Sequence, residues 1–472
     1  MPYLPSQIRD WATLAPTSPT PYLIGVGALA IPAVYGLYRA LDPFMKSIIF
    51  GKTMDLADWY NLTFPRPAIF RGDGRSHFVK RLLEGSIIDQ DGAEHARTRR
   101  LLAPAFKLDI LRSYHPRILG LIDSDFQYWV QKSAKNGFVD MELEIKQLTL
   151  RIAFNLLIGA DISTEDKEVG SELIKRYNGI FQGFLPWPLG EWNGRHRGAE
   201  AKRNVIADVT EIIRKRVADL DIGKEPANSD PLWLLIKQAQ HENGDRLSVE
   251  ELAHHALLLV IAGHETTAAT VAAFIVKGLE HPEIVTRMRA EQDALFADGG
   301  CVLPTDEDLK HMPYTDAVFR EVERMYPPAM QVQRRAKKDL LFNIEGEKPA
   351  MIKKGELIMW DVGATNRDPK LYTNPNTFNP DRWLSPEISF AEDRDNASDL
   401  GAQKTSNFKL ATFGAGHRVC LGMQFARMEM LVMGCLLMRD YEMEAVEPHK
   451  WVKSAKPAVG WGGIKVRYAR RP

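Results

Sequence analysis

Apolar positions recur at helical spacing through residues 141–157, 171–180, 247–280 and 423–431, and a basic helical stretch follows at 195–217. Short strand-like runs appear only in the last third, so the pattern predicts a mainly α fold with a small β-sheet region. The longest pattern, 247–280, opens on Ser248 ahead of Glu250 and Glu251, which marks a helix start. Its centre runs from apolar Leu257 to Ile261 into Ala262-Gly263-His264-Glu265-Thr266-Thr267. An acid and a hydroxyl in an apolar helix interior are costly, so they need a use. The alternative is a polar kink whose groups are satisfied by the backbone.

Residues 21–38 carry no charge and reach the lower limit for crossing a bilayer, which predicts a single N-terminal transmembrane helix. Ala28-Leu29-Ala30 resembles a signal cleavage site, but it falls inside the apolar run. Arg39, Lys46 and Lys52 follow the run while Arg9 alone precedes it, so the bulk of the chain is expected in the cytosol. The sequons at Asn61 and Asn396 would then stay unglycosylated. We therefore divide the chain into an anchor, 1–40, and one large domain, 41–472.

Lys plus Arg and Asp plus Glu both number 61 among 472 residues, and the basic residues are scattered, so no nucleic-acid partner is expected. Cys301, Cys420 and Cys435 are too few for a disulfide framework and lack zinc-ligand spacing. A reducing compartment fits. Cys301 follows Gly299-Gly300 as an incidental loop residue, and Cys435 reads as core packing on the helix after Cys420.

Cys420 is different. It closes Phe413-Gly414-Ala415-Gly416-His417-Arg418-Val419-Cys420-Leu421-Gly422, where glycines let the chain fold tightly and aim N–H groups at the sulfur. The helix that follows places its start against the same sulfur, which favours a thiolate. A buried, inert cysteine in a glycine-containing loop is the plain alternative. Elsewhere, His95 and Arg99 stand one helical turn apart and suit a carboxylate, or else a solvated basic face. Glu321 and Arg324 can pair on one face before Pro327-Pro328 ends their helix, which alone is a commonplace ion pair.

The pattern F-G-x-G-x-R-x-C-x-G resembles the cysteine loop of the cytochrome P450 family at every defined position, and the other motifs follow in the family's order over residues 95–472. The resemblance implies that family's fold, with haem b held by Cys420 as the metal ligand and Phe413 in its loop. It implies haem-propionate contacts from His95, Arg99, Arg334 and Arg418, and proton delivery during dioxygen scission by Glu265 and Thr266. Arg382 completes a structural triad with Glu321 and Arg324, Asp381 standing where glutamate is more usual. Pro328 to Val332 and Ala458 to Trp461 would line the substrate pocket, and the loop 181–192 would roof it.

The activity expected is a haem-thiolate monooxygenase inserting one atom of O2 into a lipophilic small molecule, a terpenoid, sterol-like or polyketide compound of secondary metabolism. Electrons from NADPH would arrive through a separate NADPH–cytochrome reductase, with the protein anchored in the endoplasmic reticulum membrane. A haem-thiolate isomerase, dehydratase or peroxygenase would need no reductase, and a non-catalytic haem-binding protein would form no product. Residues 40–94 depart from anchored members, showing neither the proline-rich hinge nor a clear strand pair.

Overall fold

In the computed structural model the described residues are 83–159, 176–181, 197–224, 231–241, 247–297, 303–342, 350–384, 410–414, 416–448, 452–455 and 459–472. The expected anchor, both sequons, Cys301, Ala458 and residues 182–192 of the roofing loop lie outside them. All described residues fall within the unit Phe70–Pro472.

Helix α1 (Gly92–Leu102) leads through a short turn, Ala103–Phe106, into α2 (Leu108–Asn136), which stops where Gly137 takes φ +79° and its N–H caps the Ser133 carbonyl. Strand β1 (Val139–Asp140) follows, and the Asp140 side chain then caps α3 (Met141–Ala153). The chain widens to a π turn, Phe154–Ile158, at the end of α3. Next come α4 (Ala199–Asp221), α5 (Pro231–His241), α6 (Val249–Glu280), α7 (Pro282–Leu295) and α8 (Pro313–Met325).

Helix α6 is the axis of the fold. Ser248 Oγ accepts from the Glu251 N–H at 3.1 Å while Glu251 Oε2 accepts from the Ser248 N–H at 2.7 Å, a reciprocal cap at the predicted start. A helix that is apolar all round belongs in the interior, and α6 packs against α3, α4, α8 and α9 (Met423–Asp440). Among the described residues it alone is long and apolar enough to cross a bilayer, but 78% of that stretch is buried inside the protein.

The strands are short. β2 (Gln331–Arg335) pairs with β5 (Leu357–Asp361), β3 (Leu340–Phe342) with β4 (Ala350–Ile352), and β7 (Val452–Ala455) with β8 (Val459–Gly462), all antiparallel. β9 (Lys465–Arg470) lies between β1 and β6 (Tyr441–Ala445), with Val466 opposite both Val139 and Ala445. Among the described residues, β1 is the one strand outside the region where the sequence pattern placed strands. Its backbone edge is claimed by β9 from the far end of the chain, a pairing with no local sequence signal.

The β8 hairpin packs against α6 at Gly460, where an added Cβ would lie 3.3 Å from that of Ala269. Deeper in the core, the rings of Phe274 on α6 and Phe319 on α8 stack at 4.1 Å, and a Cβ at Gly434 of α9 would lie 2.5 Å from Phe319 Cε2. Only glycine lets the three helices that carry the site come this close.

Candidate active site

Two glycines with positive φ, Gly414 at +73° and Gly416 at +62°, shape the cysteine loop. The Gly414 N–H donates to the Ala411 carbonyl, Val419 N–H to Gly416, and Cys420 N–H to Phe413 at 2.9 Å, so the loop folds back on itself and ends at the sulfur. Helix α9 starts immediately beyond, at Met423. Cys420 keeps an accessible face while protein atoms hem in the rest of the sulfur. Burial pushes its thiol up, against the Gly422 N–H and the guanidinium groups of Arg99 and Arg427, while Glu323 adds to the rise. Of the N–H donors expected at the sulfur, that of Gly422 is present, the loop N–H groups named above donate to carbonyls instead, and burial outweighs the favourable contacts. Metal coordination displaces such a proton.

Arg99 Nη2 donates to the Val419 carbonyl at 2.9 Å, which ties α1 to the residue before Cys420. His95 is buried one turn earlier, and burial, with Arg418 and Arg99 nearby, holds its imidazole below the usual range. Both line a cavity of about 740 Å3 with Arg100, Lys107, His417 and Arg418, where Asp91 is the acidic member. Arg418 reaches the Ile87 carbonyl at 3.3 Å and Asp91 Oδ1 at 2.8 Å, so it also anchors the segment before α1. Arg334 is exposed on β2, opposite Ile358 of β5, away from this lining. Phe413 is partly buried, with the Arg427 guanidinium 5.2 Å from its ring centre.

On α6, Ala262 is exposed and Gly263, Glu265 and Thr266 are half-buried, within a helix otherwise mostly buried at this level. Thr266 Oγ1 donates to the Ala262 carbonyl at 2.6 Å, and Thr270 Oγ1 to that of Thr266 at 3.0 Å. The backbone thus satisfies the Thr266 proton, as the kink reading expects, and leaves its lone pairs to accept. Burial pushes the Glu265 carboxyl up to about 7, with Lys146 opposing and Glu142 assisting. Those two residues pair on α3 at 2.9 Å and are partly exposed. The neighbouring His264 is buried, lowered to about 3 by burial and so neutral, 3.3 Å from the Tyr177 hydroxyl.

Glu321 is the most heavily used carboxylate in the described residues. Arg324 donates to both its oxygens at 2.8 Å, Arg382 Nε at 3.1 Å, Trp383 Nε1 at 2.9 Å and the Asn379 N–H at 2.9 Å. Asp381 stands apart, paired twice with Arg287. From the knot, Arg324 Nη1 reaches the carbonyl of Asn366 at 2.9 Å. The Asn366 side chain in turn accepts from the Ala411 N–H at 2.9 Å and donates to Thr412 Oγ1 at 3.0 Å. Asn366 therefore pins the leading edge of the cysteine loop to the triad. Nothing in its sequence neighbourhood marks it, because an asparagine at the end of a single helical turn, Val362–Thr365, ordinarily reads as a turn residue.

The family described as Cytochrome P450 matches residues 65–462. Cytochrome P450 26A1 of Danio rerio is 26% identical over 375 residues, spanning 78% of this chain and 69% of the relative. Sterol 14alpha-demethylase of Mycolicibacterium vanbaalenii is 26% identical over 366 residues, 74% of each chain. Among solved structures, retinoic acid bound cyanobacterial CYP120A1 aligns with a TM-score of 0.69 at 25% identity, covering 88% of both chains. The matched span begins earlier than the 95–472 that the motifs cover, so likeness extends into the region where the sequence showed no hinge. Every residue of the site described above lies within that span, and we conclude that this chain belongs to the cytochrome P450 family and is a monooxygenase.

Proposed function

We propose that Cys420 holds the iron of a haem b in this chain, and that the oxidised substrate is a lipophilic, isoprenoid-derived small molecule. The observation that carries the first part is Cys420, an exposed residue at the end of a loop that two positive-φ glycines and the Gly422 N–H shape around it. The donor set fits the group: a thiolate suits the iron, and His95, Arg99 and Arg418, gathered on one cavity where Asp91 already engages Arg418, suit its propionates. Arg334 is assigned the second propionate from its place in the motif order. Bound there, the haem supplies dioxygen activation, with thiolate electron density favouring O–O cleavage.

The remaining residues handle protons and position. Glu265, with its carboxyl near 7, can hold or release a proton at working pH. It faces the partly exposed Lys146–Glu142 pair, which links it to solvent, while Thr266 presents Oγ1 on the accessible strip of α6. Trp461 of the β8 hairpin, edge-on to Tyr326 at 5.7 Å, adds apolar surface suited to a hydrocarbon substrate.

The relatives support the substrate class, since the similar cyanobacterial CYP120A1 structure has retinoic acid bound and one relative is a sterol 14alpha-demethylase. Oxidative tailoring in secondary metabolism, electrons from NADPH through a separate reductase, and an anchor over 1–40 in the endoplasmic reticulum membrane with the domain in the cytosol complete the proposal. Its test is to reduce the haem-loaded protein under carbon monoxide, with Cys420→Ser alongside. Wild type should give the red-shifted thiolate absorbance and Cys420→Ser should lose it; a band that survives the substitution defeats the ligand assignment. Reconstitution with reductase, NADPH and O2 against retinoid, sterol and polyketide panels should yield product from an isoprenoid. Product from polyketides alone would refute the substrate class, and reductase-independent product would refute the electron route.

A further inference from the structure

The family's motif pattern defines Glu321 and Arg324 on α8 but leaves Glu323 between them without a role. The Glu323 side chain is 2% exposed, and its carboxylate meets Arg427 of α9 at 3.7 Å. That is longer than a hydrogen bond, and Oε2 has no hydrogen-bond partner among the described residues. A buried ion pair with such loose geometry is a poor source of stability, because desolvation of both charges is offset only by good contacts. The pair therefore calls for another explanation.

Its position supplies one. Arg427 lies over the ring of Phe413, the first residue of the cysteine loop, at 5.2 Å. The Glu323 carbonyl accepts from Thr412 Oγ1 at 2.8 Å, so α8 also grips the loop one residue earlier. Both charges therefore border the loop that ends at Cys420, where a guanidinium favours a thiolate and a carboxylate disfavours it, while Arg99 from α1 brings a second guanidinium to the Val419 carbonyl. Neither partner is a ligand. Groups beyond the ligand shell tune a bound metal through such fields.

We propose that Glu323 and Arg427 are positioning residues that set the charge behind the Cys420 sulfur, and through it the reduction potential of the iron it holds. Arg427 draws electron density back from the sulfur, and Glu323 fixes the guanidinium over Phe413 and partly cancels it. The proposal rests on Cys420 being the iron ligand.

The test is the midpoint potential of the haem-loaded protein, measured at pH 8 so that the Glu323 carboxyl, pushed up to about 7 by burial, is mainly ionised. Glu323→Gln removes a negative charge and should move the potential upward. Arg427→Met removes a positive charge and should move it downward, while Arg427→Lys restores it toward the wild-type value. Glu211→Gln, on the exposed face of α4, should leave it unchanged. Because Glu323→Gln keeps the side chain's shape, it carries the test even if Arg427→Met fails to fold. Wild-type potential in Glu323→Gln, with full haem content and an intact carbon monoxide band, overturns the proposal alone. Survival of that band in Cys420→Ser overturns the ligand assignment and the proposal together.

Discussion

Glu265 shows how one side chain's surroundings set both its chemistry and its cost. Unfolded, its carboxyl ionises near 4.5; folded, burial pushes it to about 7. Between those values the folded state holds the proton more tightly than the unfolded one, so this group makes stability fall as pH rises from about 4.5 through about 7. Glu265→Gln removes the titration. Denaturant midpoints across that window should decline less steeply in Glu265→Gln than in wild type, and parallel curves would show that the group is not so buried. The same substitution removes a proton donor, so turnover should fall by about a hundredfold. Turnover close to wild type would leave Thr266 or solvent as the donor.

At the scale of elements, the site depends on three helices meeting closely and on one buried carboxylate. Gly434 lets Phe274 and Phe319 stack against α9, and Gly434→Ala would force those rings apart at about 1–3 kcal/mol, readable by chemical denaturation. A change within error would mean that the helices adjust freely. Glu321→Ala leaves the buried Arg324 guanidinium without its charge partner, a loss of about 3–5 kcal/mol. Because Arg324 also holds Asn366, and Asn366 holds the cysteine loop, the same variant should retain less haem than Gly434→Ala does at equal residual stability. Equal haem retention in the two would break the link from triad to loop.

For the molecule as a whole, cofactor and fold are linked through binding. Haem that binds the folded chain and not the unfolded one stabilises it by about 4 kcal/mol when free haem stands a thousandfold above its dissociation constant. Loading should therefore raise the thermal midpoint, and Cys420→Ser should lose much of that rise. An equal rise in both would place the cofactor's main hold elsewhere, with the cations of α1 and the loop as the next suspects.

Much of this was legible in the residues themselves. The capping box at Ser248, the Gly414 and Gly416 turns before Cys420, and the same-face spacing of His95 with Arg99 are local features, encoded by neighbours a few positions apart. The sequence therefore determined the helical class, the boundaries of the central helix and the tight turn that ends at Cys420. Only the tertiary structure decided that burial outweighs the donors around Cys420, that Asn366 joins the triad to the loop, that β1 pairs with β9, and that Glu323 faces Arg427. Each of those depends on contacts between residues far apart in the chain, and on desolvation, which is a property of the packed interior rather than of any stretch of sequence.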